Sequence, residues 1–291
     1  HRPTSAGRAG HRLCRPHWAS HRQPFALRGT CKRKQDRRNE VFRNVGHYKW
    51  MPKLNLANEA VQNYFTEVGL YWIREFGIDG WRLDVADEMP TKFLEHFAAT
   101  VKEKYPDALL LGETWGDADR LVSGNRLDCA MNYLFKDAVT DWIAKDKISV
   151  STFDQRINRM LSLYPQETNL RMYNPLDSHD TARFLFSCGN DIARLRLGVA
   201  LQMTLPGCPA IFYGDEIGIT GDNDPLCRQA MQWDMHSHEI IPLYHFCFHL
   251  PQQNRRRPSL FPTLFSKSRE SAHPCWPNFP GCCLTQKQYT I

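Results

Sequence analysis

From Ala57 onward the apolar positions fall into a repeating order. Ala57, Val61, Tyr64, Val68, Trp72 and Phe76 recur at three- and four-residue intervals. That spacing predicts an amphipathic helix over about 55–76, with this stripe toward a core. Gly77 and the Asp79-Gly80 pair then punctuate the chain, and Trp81–Val85 reads as a short strand. The alternation continues with a helix near 90–105, a strand Ala108–Leu111 and a strand-like Cys129–Phe135. A helix near 151–163, a strand Arg171–Leu176, a helix over 189–204 and an apolar strand Cys208–Tyr213 complete the series. The strands are apolar runs rather than polar/apolar alternations, as in a sheet covered on both faces. Strand and helix in alternation predict an α/β class with parallel strands and right-handed crossovers.

Both ends lack this order. Residues 1–45 are crowded with Arg, His, Pro, Ser and Gly and hold no sustained period. After Trp233-Asp234, Glu239–Leu250 offers one more helix, and Arg255-Arg256-Arg257 then leads into a Pro/Ser/Cys tract. We therefore expect a basic flank at 1–45, disordered or foreign to the fold, a globular region at 46–234, and an irregular basic tail within 235–291. Frame-shifted translation at both ends would produce such text.

The net charge of +6 changes meaning when divided by position. Residues 1–40 carry +9 and residues 235–291 carry +4, which leaves −7 for 41–234. The chain reads as an acidic globule between basic flanks, so nucleic-acid binding through 1–40 is a minor alternative. It would show a steep salt dependence. Six of the ten cysteines lie in the flanks, and Cys129, Cys188, Cys208 and Cys227 are irregularly spaced. That is no disulfide framework, and Cys14, His17, His21 and Cys31 match no zinc-finger spacing. Reduced thiols and a cytoplasmic setting are expected. No apolar run approaches the roughly 18–20 residues of a membrane span, and no secretory signal is readable. At 291 residues the chain has the length of one (β/α)₈ barrel or of two smaller domains.

The candidate chemistry gathers at three strand ends. In Trp81-Arg82-Leu83-Asp84-Val85, Arg82 and Asp84 are two apart and project to one face. A neighbouring Arg favours an ionised carboxylate, which suits a nucleophile; a purely structural ion pair is the plainer alternative. Glu113 ends the run Ala108–Gly112, with Trp115 two residues on. A carboxyl among apolar and aromatic groups is raised toward the range of a general acid. The third strand breaks into Asp177-Ser178-His179-Asp180-Thr181, where helix capping by Ser178 or Asp180 competes with a site role. Three acids after three parallel strands lie where (β/α)₈ enzymes build their sites. One ionised and one protonated carboxyl is the pairing used for glycoside hydrolysis.

These residues resemble the alpha-amylase family, glycoside hydrolase family 13. Gly80-Trp81-Arg82-Leu83-Asp84 is similar to its nucleophile motif, and Gly112-Glu113-Thr114-Trp115 to its acid/base motif. Ser178-His179-Asp180 is similar to the motif of its transition-state-stabilising Asp and substrate-binding His. The strand before Tyr213-Gly214-Asp215-Glu216 resembles the eighth barrel strand. Met51-Pro52-Lys53-Leu54-Asn55 and Val85-Ala86-Asp87-Glu88 resemble motifs of the neopullulanase, cyclomaltodextrinase and maltogenic amylase group.

The resemblance implies a (β/α)₈ TIM barrel, incomplete here, with about strands 4 to 8 present over 48–234. It implies a retaining hydrolase of α-1,4-glucosidic bonds in cyclodextrins, pullulan, maltooligosaccharides or starch. Asp84 would be the nucleophile, Glu113 the acid/base and Asp180 the stabiliser. Arg82 would orient Asp84, His179 would bond the sugar, and Trp115 would offer a stacking face. Nucleophile and acid carboxyls about 5–5.5 Å apart would follow from retention. The resemblance implies no organic cofactor, admits calcium without assigning a ligand, and makes an α-glucan or cyclodextrin the partner. The group's dimerisation domain, and its Asp-x-x-x-Asn-His motif, have no counterpart in this sequence. An α-1,6-active or transglycosylating relative, and an inactive fragment that only binds carbohydrate or a partner, are the alternatives.

Overall fold

The structure, a computed structural model, describes residues 42–45, 48–234, 240–244 and 289–290. The remaining flank and tail, including Cys14, His17, His21, Cys31 and residues 245–250 of the expected last helix, lie outside the described residues.

Strands β1 (Phe42–Val45) and β2 (Tyr48–Leu54) form an antiparallel pair, and the expected boundary at 45/46 falls inside it. Helix α1 follows at Glu59–Phe76; Asn58 caps it by accepting the Ala60 N–H at 3.0 Å, and Gly77 ends it with φ +58°. Only glycine enters that left-handed region without steric cost. The core face of α1 meets the expected stripe only in part: Val61 and Trp72 pack against the core, but its buried centre lies elsewhere. Thr66, Gly69, Leu70 and Ile73 are buried, whereas Tyr64 is 62% and Phe76 49% exposed. Gly69 decides this rotation: its bare Cα admits the Phe97 ring, which a Cβ would meet at 2.6 Å, and its carbonyl accepts the Trp81 indole N–H at 3.0 Å.

Strand β3 (Gly80–Leu83), helix α2 (Thr91–Lys104) and strand β4 (Leu109–Gly112) make the first strand–helix–strand repeat. Helix α3 (Asp119–Val122) leads to β5 (Cys129–Ala130), then α4 (Tyr133–Val139), which runs on as a π-helical turn at Thr140–Ala144. The expected strand Cys129–Phe135 is thus corrected to two strand residues and a helix. Asn132 ends the strand and caps α4, its side chain accepting the Phe135 N–H at 3.3 Å. Helices α5 (Val150–Ser162) and α6 (Gln166–Arg171) precede β6 (Tyr173–Pro175). Helices α7 (Phe184–Ser187) and α8 (Ile192–Thr204) precede β7 (Cys208–Ala210). Residues 241–244 are helical.

Strands β3, β4 and β5 pair in parallel, a bridge from Met131 to Tyr173 joins β5 to the β6 line, and β6 pairs in parallel with β7. Five strands therefore follow one another in chain order. In the tail read as irregular, β8 (Tyr289–Thr290) pairs in parallel with the other side of β3. One core cluster joins α1, α2, β3 and β4 through Leu70, Trp81, Phe97 and Leu110. A second joins α4, α5, α7 and α8 through Phe135, Ile157, Phe184 and Val199. Among the described residues no helix is long and apolar enough to cross a membrane.

Gly80 opens β3 directly opposite Leu109, and a Cβ there would stand 2.0 Å from the Leu109 carbonyl oxygen. The Asp79-Gly80 pair thus marks a close strand approach as well as a turn. Gly80→Ala is expected to lower unfolding stability by about 2 kcal/mol or more, read as a lower urea midpoint; an unchanged midpoint would show that β3 and β4 can part freely.

Candidate active site

The register of β3 and β4 sets the first half of the site. Leu83 lies opposite Gly112, so the next residue on each strand, Asp84 and Glu113, emerges at the same C-terminal edge. The buried Arg82 guanidinium joins them: Nη1 donates to Asp84 Oδ1, and Nη2 lies 3.0 Å from Glu113 Oε2. The same Nη2 touches Met131 Sδ at 3.6 Å. The two carboxyls differ in exposure. The Asp84 side chain is 45% exposed, that of Glu113 6%.

The turn between them is strained. Val85 has φ +47°, a region sparsely populated by β-branched residues and worth roughly 1–3 kcal/mol of strain. In that conformation its N–H donates to Glu113 Oε2 at 2.8 Å. The Ala86 N–H bonds the Glu113 carbonyl at 3.1 Å, and the Glu113 N–H bonds the Leu83 carbonyl at 2.9 Å. Burial pushes the Glu113 carboxyl above its ordinary value; the Val85 N–H and Arg82 pull it down, and a hydrogen bond and the charge of Asp84 push it up again, leaving it raised.

The second half of the site follows β6. The Asp180 N–H donates to Ser178 Oγ at 3.2 Å, and the Ser178 N–H to Thr181 Oγ1 at 3.0 Å. Capping is thereby answered: Ser178 and Asp180 shape their own loop, and the α7 amide of Phe184 is held by Asp177 Oδ2 at 2.6 Å. Both Asp180 oxygens are engaged, Oδ1 by Arg228 Nη2 at 2.9 Å and Oδ2 by His179 Nε2 at 3.1 Å.

Tyr133, at the start of α4, links the halves. It is buried, and its hydroxyl lies 2.9 Å from Ser178 Oγ. The charges of Glu113, Asp180 and Arg82 all act on that hydroxyl; with burial as the main cause it is pushed up to about 12. Trp115 stacks on the Tyr133 ring with centroids 4.2 Å apart and stays 49% exposed, so it has an open surface rather than a place in the core. A cavity of about 500 Å³ adjoins, lined by Trp115, Leu176, Asp180, Thr181, Asp222 and Asn223 among others.

The structure thus brings Arg82, Asp84 and Glu113 into contact and pairs His179 with Asp180. It ties the two groups through Tyr133 and Ser178. Sequence reasoning missed Tyr133, which sits in a run read as strand, and Arg228, whose neighbourhood carries no periodic signal. Among the described residues no three His, Cys, Asp or Glu side chains gather as a metal site. The calcium admitted by the resemblance therefore has no ligand set to name here and enters no step.

Comparison with known proteins agrees with this geometry. Residues 17–240 match the alpha amylase catalytic domain. Over 184 residues the chain is 47% identical to a cyclomaltodextrinase of Geobacillus thermopakistaniensis (strain MAS1), covering 63% of this chain and 31% of that protein. It is 46% identical to neopullulanase 2 of Thermoactinomyces vulgaris, with the same coverage. A solved cyclomaltodextrinase superposes with a TM-score of 0.70 at 39% identity, over 73% of this chain and 37% of that one. The chain spans about a third of the length of these curated relatives. Five parallel strands in chain order, three of them with the site's acids beyond their C-terminal ends, take their place in a (β/α)₈ barrel, and the chain belongs to the alpha-amylase catalytic-domain family.

Proposed function

We propose that this chain is the part of a retaining glycoside hydrolase that carries its catalytic carboxyls, acting on α-1,4-glucosidic bonds in cyclodextrins, pullulan, maltooligosaccharides or starch. The observation that carries this reading is the Arg82 fork, which holds an exposed Asp84 and a buried, raised Glu113 on one guanidinium. Asp84 attacks the anomeric carbon from its exposed edge and forms a covalent glycosyl-enzyme. Glu113 gives its proton to the leaving oxygen, then takes one from water as that water releases the sugar. Two carboxyls held on one guanidinium at adjacent strand ends suit the close pair of a retaining enzyme better than the wider pair that leaves room for water in an inverting one. Asp180 holds sugar hydroxyls as positive charge develops on the ring, with His179 beside it, and Trp115 offers its open face to a sugar. The five strands correspond to strands 4 to 8 of the barrel. The setting is cytoplasmic, in keeping with the free Cys129, Cys188, Cys208 and Cys227.

The test is release of reducing sugar from β-cyclodextrin, pullulan and starch by the purified chain, with product anomers followed by NMR. The α-anomer is expected to appear first, before mutarotation. Initial β-anomer would overturn retention. No release by protein with a folded circular-dichroism spectrum would leave only the reading of an inactive carbohydrate-binding fragment.

A further inference from the structure

Arg183, in the loop between β6 and α7, is a fully buried cation that touches neither Asp84, Glu113 nor Asp180, yet it joins the three segments behind Asp180. Its Nη1 donates to the Tyr213 carbonyl at 2.6 Å and to Asp215 Oδ1 at 3.0 Å, and its Nε to the Cys227 carbonyl at 2.9 Å. Its guanidinium lies over the Phe212 ring, 3.8 Å from the centroid, and its own N–H donates to the Gly221 carbonyl at 2.9 Å. Cys227 carries the linkage forward. Its Sγ lies 3.2 Å from the His179 carbonyl, and the next residue, Arg228, donates to Asp180 Oδ1 at 2.9 Å.

We propose that Arg183 is a positioning residue that sets His179 and Asp180 in place through the Cys227-Arg228 dipeptide. This deepens the function proposed above and rests on it for its catalytic consequence.

The buried charges beside Arg183 fit the role. One guanidinium faces two buried carboxyls, Asp177 and Asp215, and burial followed by the charge of Asp177 pushes Asp215 well above the ordinary carboxylate range. Asp177 Oδ1 and Arg183 Nη2 have no hydrogen-bond partner among the described residues. A lysine keeps the charge of Arg183 but lacks the fork that reaches Tyr213, Asp215 and Cys227 together.

The experiment is hydrogen exchange read by peptide mass spectrometry on the full chain and on Arg183→Lys and Cys227→Ala. In Arg183→Lys, peptides spanning 177–183 and 221–229 are expected to exchange on the order of 10-fold faster, the opening caused by losing one buried hydrogen bond, while 80–85 and 109–113 keep their rates. Cys227→Ala, which removes only the thiol donor to His179, is expected to speed 177–183 alone. Equal acceleration everywhere in Arg183→Lys, together with an unchanged 177–183 in Cys227→Ala, would make Arg183 a residue of general stability and overturn the proposal. If the parent chain cleaves β-cyclodextrin, Arg183→Lys should lower kcat about 10- to 100-fold with KM within about threefold, since small displacements of a catalytic group cost this much. Local opening with unchanged kcat would also overturn it. A parent chain without turnover defeats the function proposed above and leaves the exchange result to decide the positioning.

Discussion

Asp84→Asn is expected to remove turnover of every glucoside the parent chain cleaves, lowering kcat on the order of 10⁵-fold, the scale of losing a covalent nucleophile. The amide matches the carboxylate in size but cannot displace a leaving group from the anomeric carbon. Arg82 keeps its second partner, Glu113, at 3.0 Å, and the Asp84 side chain is half exposed. Unfolding stability should therefore move by no more than about 1 kcal/mol. An aryl α-glucoside with a good leaving group separates this role from the others, because bond cleavage then needs no proton while attack is still required. Asp84→Asn should be as inactive on it as on β-cyclodextrin. Turnover of the aryl glucoside at more than a hundredth of the parent rate would remove Asp84 from the nucleophile's role.

Glu113→Gln should divide the two substrates. Sugar leaving groups need the proton that Glu113 supplies, so cleavage of β-cyclodextrin is expected to fall about 10²- to 10⁴-fold, the usual worth of a positioned general acid. The aryl glucoside should still form the glycosyl-enzyme, giving a burst of phenol followed by slow release, since Gln cannot activate water for the second step. Equal losses on both substrates would count against Glu113 as the acid. The same raised carboxyl makes a claim about stability. Glu113 binds its proton more tightly in the folded chain than its ordinary value of 4.5 allows. Its contribution is full below that value and is lost as pH rises through the raised one. Gln never ionises, so near pH 7 the variant should be at least as stable as the parent, with a flatter decline from acid to neutral pH. Thermal melts of both proteins across pH 4–8 measure this, and a less stable Glu113→Gln at pH 7 would mean that the ionised carboxylate is the form the fold prefers.

Much of the fold was legible because its signals are local. Helices α1, α2, α5 and α8 lie within a few residues of the segments expected to be helical, and three of them begin at side-chain caps, Asn58, Ser149 and Asp191. The strand starts at Leu109, Cys129, Tyr173 and Cys208 fall in the apolar runs, and β3 starts one residue before its run, at Gly80. What failed is what depends on neighbours. The buried face of α1 was read correctly at Val61 and Trp72 but not at Tyr64 and Phe76, because Gly69, nearly invisible to an apolar pattern, decides where Phe97 can pack. The run Cys129–Phe135 was misread as strand because Asn132 looks like one polar residue in an apolar stretch until its side chain is seen to cap α4.

The sequence by itself determined the strand–helix order, the acidic middle between basic ends, and the identity of Arg82, Asp84, Glu113, His179 and Asp180 as candidates, because each rests on spacing within a few residues. Only the tertiary structure decided how they meet. Parallel register placed Asp84 beside Glu113 across 29 positions of chain and let one guanidinium serve both. It stacked Trp115 on Tyr133, and it brought Arg228 to Asp180 and Cys227 to Arg183 from more than 40 residues away. Spacing along a chain reports only what a strand or a turn brings together. The burial that raises Glu113, and the partners that hold Asp180, come from segments joined by the fold alone.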